Sequence, residues 1–450
     1  HFNQAVMLRV SDCLSVDVLP EALAHLASHH DALRLRFAHD EQGWRQWHAA
    51  TEGSWPLERF DLSPLPVDEP IAALEHSASM MQGSMDLENG PLARAGWFDL
   101  GEHGCRLLLV VHHLAIDAVS WRVLLDDLTA LWTSLSNGEP PSLPAKTTSF
   151  QHWSRRLHEY SRSPAIAAEL PYWRSIADAE AGCLPRDFAE AENLQASLEL
   201  VSVALDEAQT AALLEQANEP YRTRTPEILL AALAQTLAEF SGHSSVLIDV
   251  EGHGRAAELF DDIDLSRTVG WFTAGYPVLL DAPYYLPPGT LLRRTKESLR
   301  RIPGEGVGYG VLRYLSSDEA VRDSLTSLPQ AEVAFNYLGR LDGAVAESSP
   351  LGRACEPIGL LRSPRARRCH LLELNLFVSG GRLSIEIGFS RAIHRRETIE
   401  RLAADYHKRL TAVIEHCLSP EAGGFTPSDF PLAKTDDREL EKISQLLGDS

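Results

Sequence analysis

The chain has 450 residues, 44 % hydrophobic and 23 % charged. That suits roughly two or three folded units, or one large two-lobed one with a sizeable core, and excludes disorder as the dominant state. Its 63 acidic residues outweigh 41 Lys and Arg for a net charge of −22, which argues against a nucleic-acid or anionic-membrane partner.

In chain order, His1-Phe2-Asn3-Gln4 already reads as a strand, so a further segment is expected before it. Leu19–Phe37 has helical apolar spacing, with Leu23, Leu26 and Leu33 in phase. The apolar run Arg106–Val111 is too short for a buried helix and is expected to be a buried strand. It runs into His112 and His113. From Ser120 the pattern turns helical, with Trp121, Leu124, Leu125, Leu128, Leu131 and Trp132 on one face, and Asn137-Gly138 ends it. Asn137–Thr148 is rich in breakers and marks a boundary, as does Ala179–Asn193. Phe150–Ala177 between them reads as helical, broken by Pro164 and Pro171. Farther on, Thr225 suits an N-cap, Pro226 the first helical position and Gly242 the stop. A strand, Val246–Val250, then opens into Glu251-Gly252-His253-Gly254-Arg255. These features predict an N-terminal lobe over 1–149, a helical connector over 150–195 and a C-terminal lobe over 196–450.

Six cysteines are scattered with no CxxC pair. They read as reduced, mostly packing residues of a cytoplasmic protein. No Cys–His set has zinc spacing, so no metal site is expected. No apolar run reaches the ~18 residues of a membrane span, and no signal peptide is visible. Positive charge is local. Arg362, Arg365, Arg367 and Arg368 form one short run, expected as a solvated loop, with an acidic or phosphate-bearing partner as the alternative.

Both strand ends deliver ionisable groups to loops, where active-site residues are common. Successive strand side chains point to opposite faces. Of His112 and His113, one is therefore expected to face a channel and the other to be structural, which also disfavours a shared metal ion. Asp117 sits at the turn into the helix. It is expected to cap that helix or pair with an arginine, a structural role. Glu251 alternates with Leu247 and Asp249, away from the Val246/Ile248/Val250 face, and by itself suits a pair with Arg255. The glycines of this segment permit a tight turn and close backbone approach. Phe335-Asn336-Tyr337-Leu338-Gly339 offers donors, a weak acid and a turn, and by spacing alone reads as a strand with a packed aromatic.

HHLAIDAVSWRVLLDDL (His112–Leu128) resembles the HHxxxDG signature of the condensation superfamily, in the form carried by epimerization domains of nonribosomal peptide synthetases. VEGHGR (Val250–Arg255), TVGWFTAGYPV (Thr268–Val278), GVGYGVLRYL (Gly306–Leu315) and FNYLGR (Phe335–Arg340) resemble further epimerization-domain segments in the same order. The likeness runs from HFNQ to TPSDF (Thr426–Phe430). Ala118 stands where that family usually has glycine, and would strain the loop if the position needs a positive φ. Arg340 stands where glutamine is more usual.

The resemblance implies an α/β fold of two chloramphenicol-acetyltransferase-like lobes, a V-shaped pseudo-dimer with a tunnel between them. His113 from one lobe and Glu251 from the other would face each other across it. The implied reaction inverts the α-carbon of an L-aminoacyl or peptidyl thioester on a carrier protein. A base removes the α-proton, a proton returns to the other face, and donors hold the enolate oxygen. A buried glutamate or a histidine can titrate near working pH. Implied catalytic residues are His113, Glu251 and Tyr337, supported by His112, Asp117, Trp121, Asn336, Gly252, His253 and Arg255. The division of labour among them stays open. No metal or cofactor is implied for this chain, because the phosphopantetheine arm belongs to the carrier. Expected partners are the upstream carrier domain and adjacent synthetase domains, without nucleic acid or membrane. The rivals are a condensation domain forming an amide between carrier-bound substrates, and a non-catalytic docking domain of the same fold.

Overall fold

The computed structural model describes residues 1–41, 43–50, 55–66, 69–178, 181–189, 191–341 and 349–430. Among these, the strands in chain order are β1 (Asn3–Val10), β2 (Leu35–Asp40), β3 (Gly43–His48), β4 (Leu57–Asp61), β5 (Ala93–Asp99), β6 (Cys105–His112), β7 (Leu198–Ala204), β8 (Ser245–Gly252), β9 (Ala274–Asp281), β10 (Val333–Arg340), β11 (Leu351–Arg353), β12 (Leu372–Ser379) and β13 (Arg382–Ser390). They form mixed α/β structure in two compact units, with no closed barrel among the described strands.

The units are not contiguous in sequence. The first comprises His1–Leu157, Ala257–Thr273 and Asp342–Ala366, and the second His158–Ala256, Ala274–Leu341 and Arg367–Ser450. This differs from the expected linear division at 149 and 195. The stretch read as a connector is shared between the units, and two segments of the expected C-terminal lobe join the first. Pairing explains it, since β11 adds to β1, and Phe2 bridges to Arg362.

The first unit holds a sheet ordered β11-β1-β6-β5-β4 and the separate β2–β3 hairpin. β6 is covered on both faces, so its apolar run is continuous rather than alternating. Leu107, Leu109 and Val111 join the cluster of the helices Leu19–His29 and Ala118–Ser136, while Leu108 and Val110 pack with Leu74, Ala78 and Met81 of the helix Pro70–Gly83. The helical spacing over Leu19–Phe37 overshoots. The helix ends at His29, Leu33 is buried from a short 3-10 turn, and Leu35–Asp40 becomes β2 because it pairs with β3.

The second unit is a six-stranded sheet ordered β7-β13-β12-β10-β8-β9. β10 runs parallel to β8 and β12. One face carries Ile248, Val250, Phe335, Leu374 and Ile387 into a core with the helices Thr225–Ser241 and Arg396–Cys417. Arg224, not Thr225, precedes the first of these helices, and its N–H donates to the Glu227 carboxylate at 2.8 Å. Gly242 ends that helix in the left-handed conformation at φ +75°. Phe150–Ala177 is broken as expected, with Pro164 and Pro171 in the first turns of Pro164–Ala167 and Leu170–Arg174.

Candidate active site

In the first unit, β6 delivers His112 and His113 to its end, and the backbone then tightens into a short turn, His113–Ala115. His112 is the structural member. It is buried, and its Nδ1 accepts the Leu114 N–H at 3.3 Å. Burial pushes its pKa from 6.5 down to about 4. The unfolded chain then binds this proton between those values and the folded chain does not, so stability is lost as pH falls from 6.5 toward 4. Denaturant melts are expected to show a loss on the order of 1–3 kcal/mol over that window. His112→Asn keeps an acceptor for Leu114 and is expected to flatten the curve. An unchanged slope in His112→Asn removes His112 as the cause.

His113 lies between two aromatic rings, 4.6 Å from Phe2 and 4.5 Å from Trp271 by centroid. Its Nε2 is 3.0 Å from Gln4 Nε2, and Gln4 Oε1 accepts the Trp121 indole N–H at 2.8 Å. Burial holds the ring below its ordinary pKa. Backbone groups of His113 and Ile116 oppose that shift, Arg362 adds to it, and Asp117 opposes it. The Arg362 guanidinium stacks over Phe2 at 4.9 Å. Sequence reasoning missed Phe2, Gln4, Trp271 and Arg362 as neighbours of His113. The available signal was that HFNQ and TVGWF lie within matched stretches.

Asp117 caps the helix Ala118–Ser136. Its Oδ1 accepts the Ser120 N–H at 2.7 Å and its Oδ2 the Phe272 N–H at 3.1 Å. Ser120 Oγ donates to the Gly270 carbonyl at 3.0 Å and accepts the Gly270 N–H at 3.1 Å. Asp117 and Ser120 thus lock the Gly270–Phe272 backbone that carries Trp271. Ala118 opens the helix and is not among the positive-φ residues, so alanine brings no strain there.

In the second unit, β8 runs on to Gly252, and Glu251 pairs in register with Asn336 of β10. The Asn336 amide donates to Glu251 Oε2 at 2.8 Å. Glu251 is exposed. Tyr337 is not brought to this pair. It neighbours Asn336 on the strand, so it faces the other way and packs against the apolar core. Burial raises its pKa above the ordinary phenol value, with Arg340 opposing, which makes it a poorer acid. In the EGHGR turn only Gly254 has a positive φ, +65°. A Cβ on Gly252 would meet Tyr276 at an ordinary 3.6 Å. His253 is exposed, and its Nδ1 accepts the Arg255 N–H at 3.0 Å. In the GVGYG segment, Gly306 (φ +84°) leaves room for the Tyr276 ring, which lies 2.0 Å from where a Cβ would sit.

The arginine run divides. Arg367 is exposed and pairs with Glu192 at 2.7 Å, as a solvated loop would. Arg368 is buried, donating to Glu373 and to the Gly388 carbonyl. A buried guanidinium needs such partners, and folding supplies them from elsewhere in the chain. The cysteines are free, but Cys13, Cys183, Cys355 and Cys369 are exposed and only Cys417 is buried, against the expected packing role. Among the described residues, His29, His30 and Asp127 bring donor atoms within 4.8 Å of one another. Both Asp127 oxygens already accept, from His30 at 2.9 Å and from Arg267, and the guanidinium opposes a cation there. No described helix is long and apolar enough to cross a membrane.

The condensation-domain family model matches residues 1–434. The chain belongs to the condensation-domain family. It is 43 % identical over 98 % of its length to a linear gramicidin synthase of Brevibacillus parabrevis, and 40 % identical over its whole length to chondramide synthase of Chondromyces crocatus. The domain spans 6 % and 11 % of those proteins. Among solved structures, the epimerization domain from the third module of tyrocidine synthetase B superposes with a TM-score of 0.87, at 33 % identity over 93 % of each chain. This is therefore a condensation-superfamily domain of the nonribosomal peptide synthetase type.

Proposed function

We propose that this condensation-family domain is an epimerase, inverting the α-carbon of an aminoacyl or peptidyl thioester presented on a carrier protein's phosphopantetheine arm. The observation that carries the reading is the likeness, at 33 % identity over 93 % of both chains, to a solved epimerization domain. The motifs EGHGR and FNYLG support it, and Asn336 of one bonds Glu251 of the other.

In this reading the thioester itself acidifies the α-proton. The Glu251 carboxylate accepts that proton, and the C–H electron pair moves onto the carbonyl oxygen as an enolate. A proton drawn from solvent and delivered to Cα from the opposite face completes the inversion, and Glu251 gives its own proton back to solvent. Glu251 and His113 are the proposed acid–base groups, working where a positioned side chain contributes most. Tyr337 is left out of the proton transfers because it faces away from Asn336 and, half-buried, packs against the core. The thioester and its arm are substrate, carried by a partner in a cytoplasmic synthetase whose neighbouring domains supply and remove it.

The name of the matching family keeps a second reading in view, amide formation between two carrier-bound substrates. One assay separates them. An L-aminoacyl thioester is loaded on a carrier protein in deuterium oxide, and the released acid is analysed for Cα deuterium and chirality. Epimerization predicts deuterium uptake and D-product from the single carrier. Amide product from two loaded carriers, without exchange at Cα, overturns the proposal in favour of condensation.

A further inference from the structure

The hydrogen bonds around His113 carry chemical information because two of their partners are unambiguous. An indole N–H only donates. Trp121 must therefore hold Gln4 by its amide oxygen, at 2.8 Å. That turns the amide NH2 toward His113, whose Nε2 lies 3.0 Å away. An amide NH2 also only donates, so His113 Nε2 must accept. In a neutral imidazole one nitrogen accepts and the other carries the proton.

We propose that Gln4, oriented by Trp121, is a positioning residue that fixes the tautomer of His113, keeping Nε2 an acceptor and the ring proton on Nδ1. The Phe2 and Trp271 rings on either side hold the imidazole plane. An imidazolium would set two donors against each other at the Gln4 contact. The resting ring is therefore neutral, so any proton that His113 passes on is taken up during the reaction, and a preformed imidazolium waiting for the enolate oxygen is disfavoured. The inference deepens the proposed function and rests on it for its catalytic meaning, while the tautomer itself does not.

Three residues of the motifs gain a reason from this. Gln4 of HFNQ donates to the ring, Trp121 of VSW orients Gln4, and Trp271 of TVGWF packs on the ring. The charged groups acting on His113 are Arg362, which disfavours its protonation, and Asp117, which favours it. Both remain in the variants below.

The test is a two-bond proton–nitrogen correlation spectrum of the full chain with ¹⁵N-histidine, with the His113 signals assigned by their loss in His113→Gln. In the wild type at neutral pH, Nε2 is expected to resonate as the unprotonated nitrogen and Nδ1 as the protonated one. Gln4→Glu replaces the donor by a carboxylate that accepts from both sides, and is expected to move the proton to Nε2 and raise the pH at which the ring titrates. Trp121→Phe keeps the aromatic packing but frees the amide to turn, and is expected to give a mixture. It also serves if Gln4→Glu fails to fold. Cα exchange is expected to fall roughly 10- to 100-fold in Gln4→Glu. A wild-type ring protonated on Nε2, or a tautomer unmoved in both variants, overturns the proposal. A moved tautomer with unchanged exchange overturns the positioning role. The expected tautomer in a wild type that shows no Cα exchange leaves the tautomer assignment standing and overturns the epimerase reading instead.

Discussion

Glu251→Gln is expected to slow solvent exchange at Cα by roughly 10²- to 10⁴-fold, the usual share of a positioned proton-transfer group. Glutamine has nearly the same shape, and its amide oxygen still accepts from Asn336, so the bond between β8 and β10 survives. What disappears is the carboxylate's charge and its ability to take a proton. Because Glu251 is exposed, the substitution removes no core contact, and the melting curve is expected to stay within about 0.5 kcal/mol of wild type. His113→Ala is expected to slow exchange comparably. Tyr337→Phe is the contrasting variant: its hydroxyl belongs to a side chain on the core face, so exchange is expected to continue near the wild-type rate. The measurement is the deuterium content of the α-position over time on a loaded carrier protein. A Glu251→Gln domain that exchanges at the wild-type rate removes Glu251 from the reaction. Loss of exchange in Tyr337→Phe, with the fold intact, restores a proton-donor role there.

Asp117→Ala is expected to show its effect in stability. The residue is buried, caps the helix Ala118–Ser136 through the Ser120 N–H and takes the Phe272 N–H with its other oxygen. Losing a cap costs about 0.5–2 kcal/mol, and a buried N–H left without its acceptor about 1–3 kcal/mol. Together these predict a loss of about 2–4 kcal/mol, read as a lower denaturant midpoint and poorer soluble yield. Asp117→Asn keeps one acceptor oxygen and is expected to lose less. The Gly270–Phe272 backbone that Asp117 and Ser120 hold also carries Trp271 against His113, so the alanine variant should loosen that ring as well. A variant as stable as wild type yet inactive would assign Asp117 a direct chemical part.

Features decided by near neighbours along the chain were legible in the order of the residues alone. The apolar run ending at His112 had to be a buried strand, and the helix after Asp117 had to bury the Trp121–Trp132 stripe. Pro164 and Pro171 had to interrupt the helical stretch that contains them. Each follows from backbone sterics or periodicity acting over a few residues. The same alternation rule that separated His112 from His113 also puts Asn336 and Tyr337 on opposite faces, a signal present in the sequence but masked by their adjacency in a motif. Other features have no local signature. Arg368 lies in a charged run that reads as solvent-facing, yet it is buried because Glu373 and the Gly388 carbonyl accept its donors. Gln4 reaches His113 across 109 positions and Trp121 across 117. The return of Ala257–Thr273 and Asp342–Ala366 to the first unit depends on strand and cap partners far away in the chain. Hydrogen-bonding groups record only that they need a partner, and which partner they receive is decided when the tertiary fold closes.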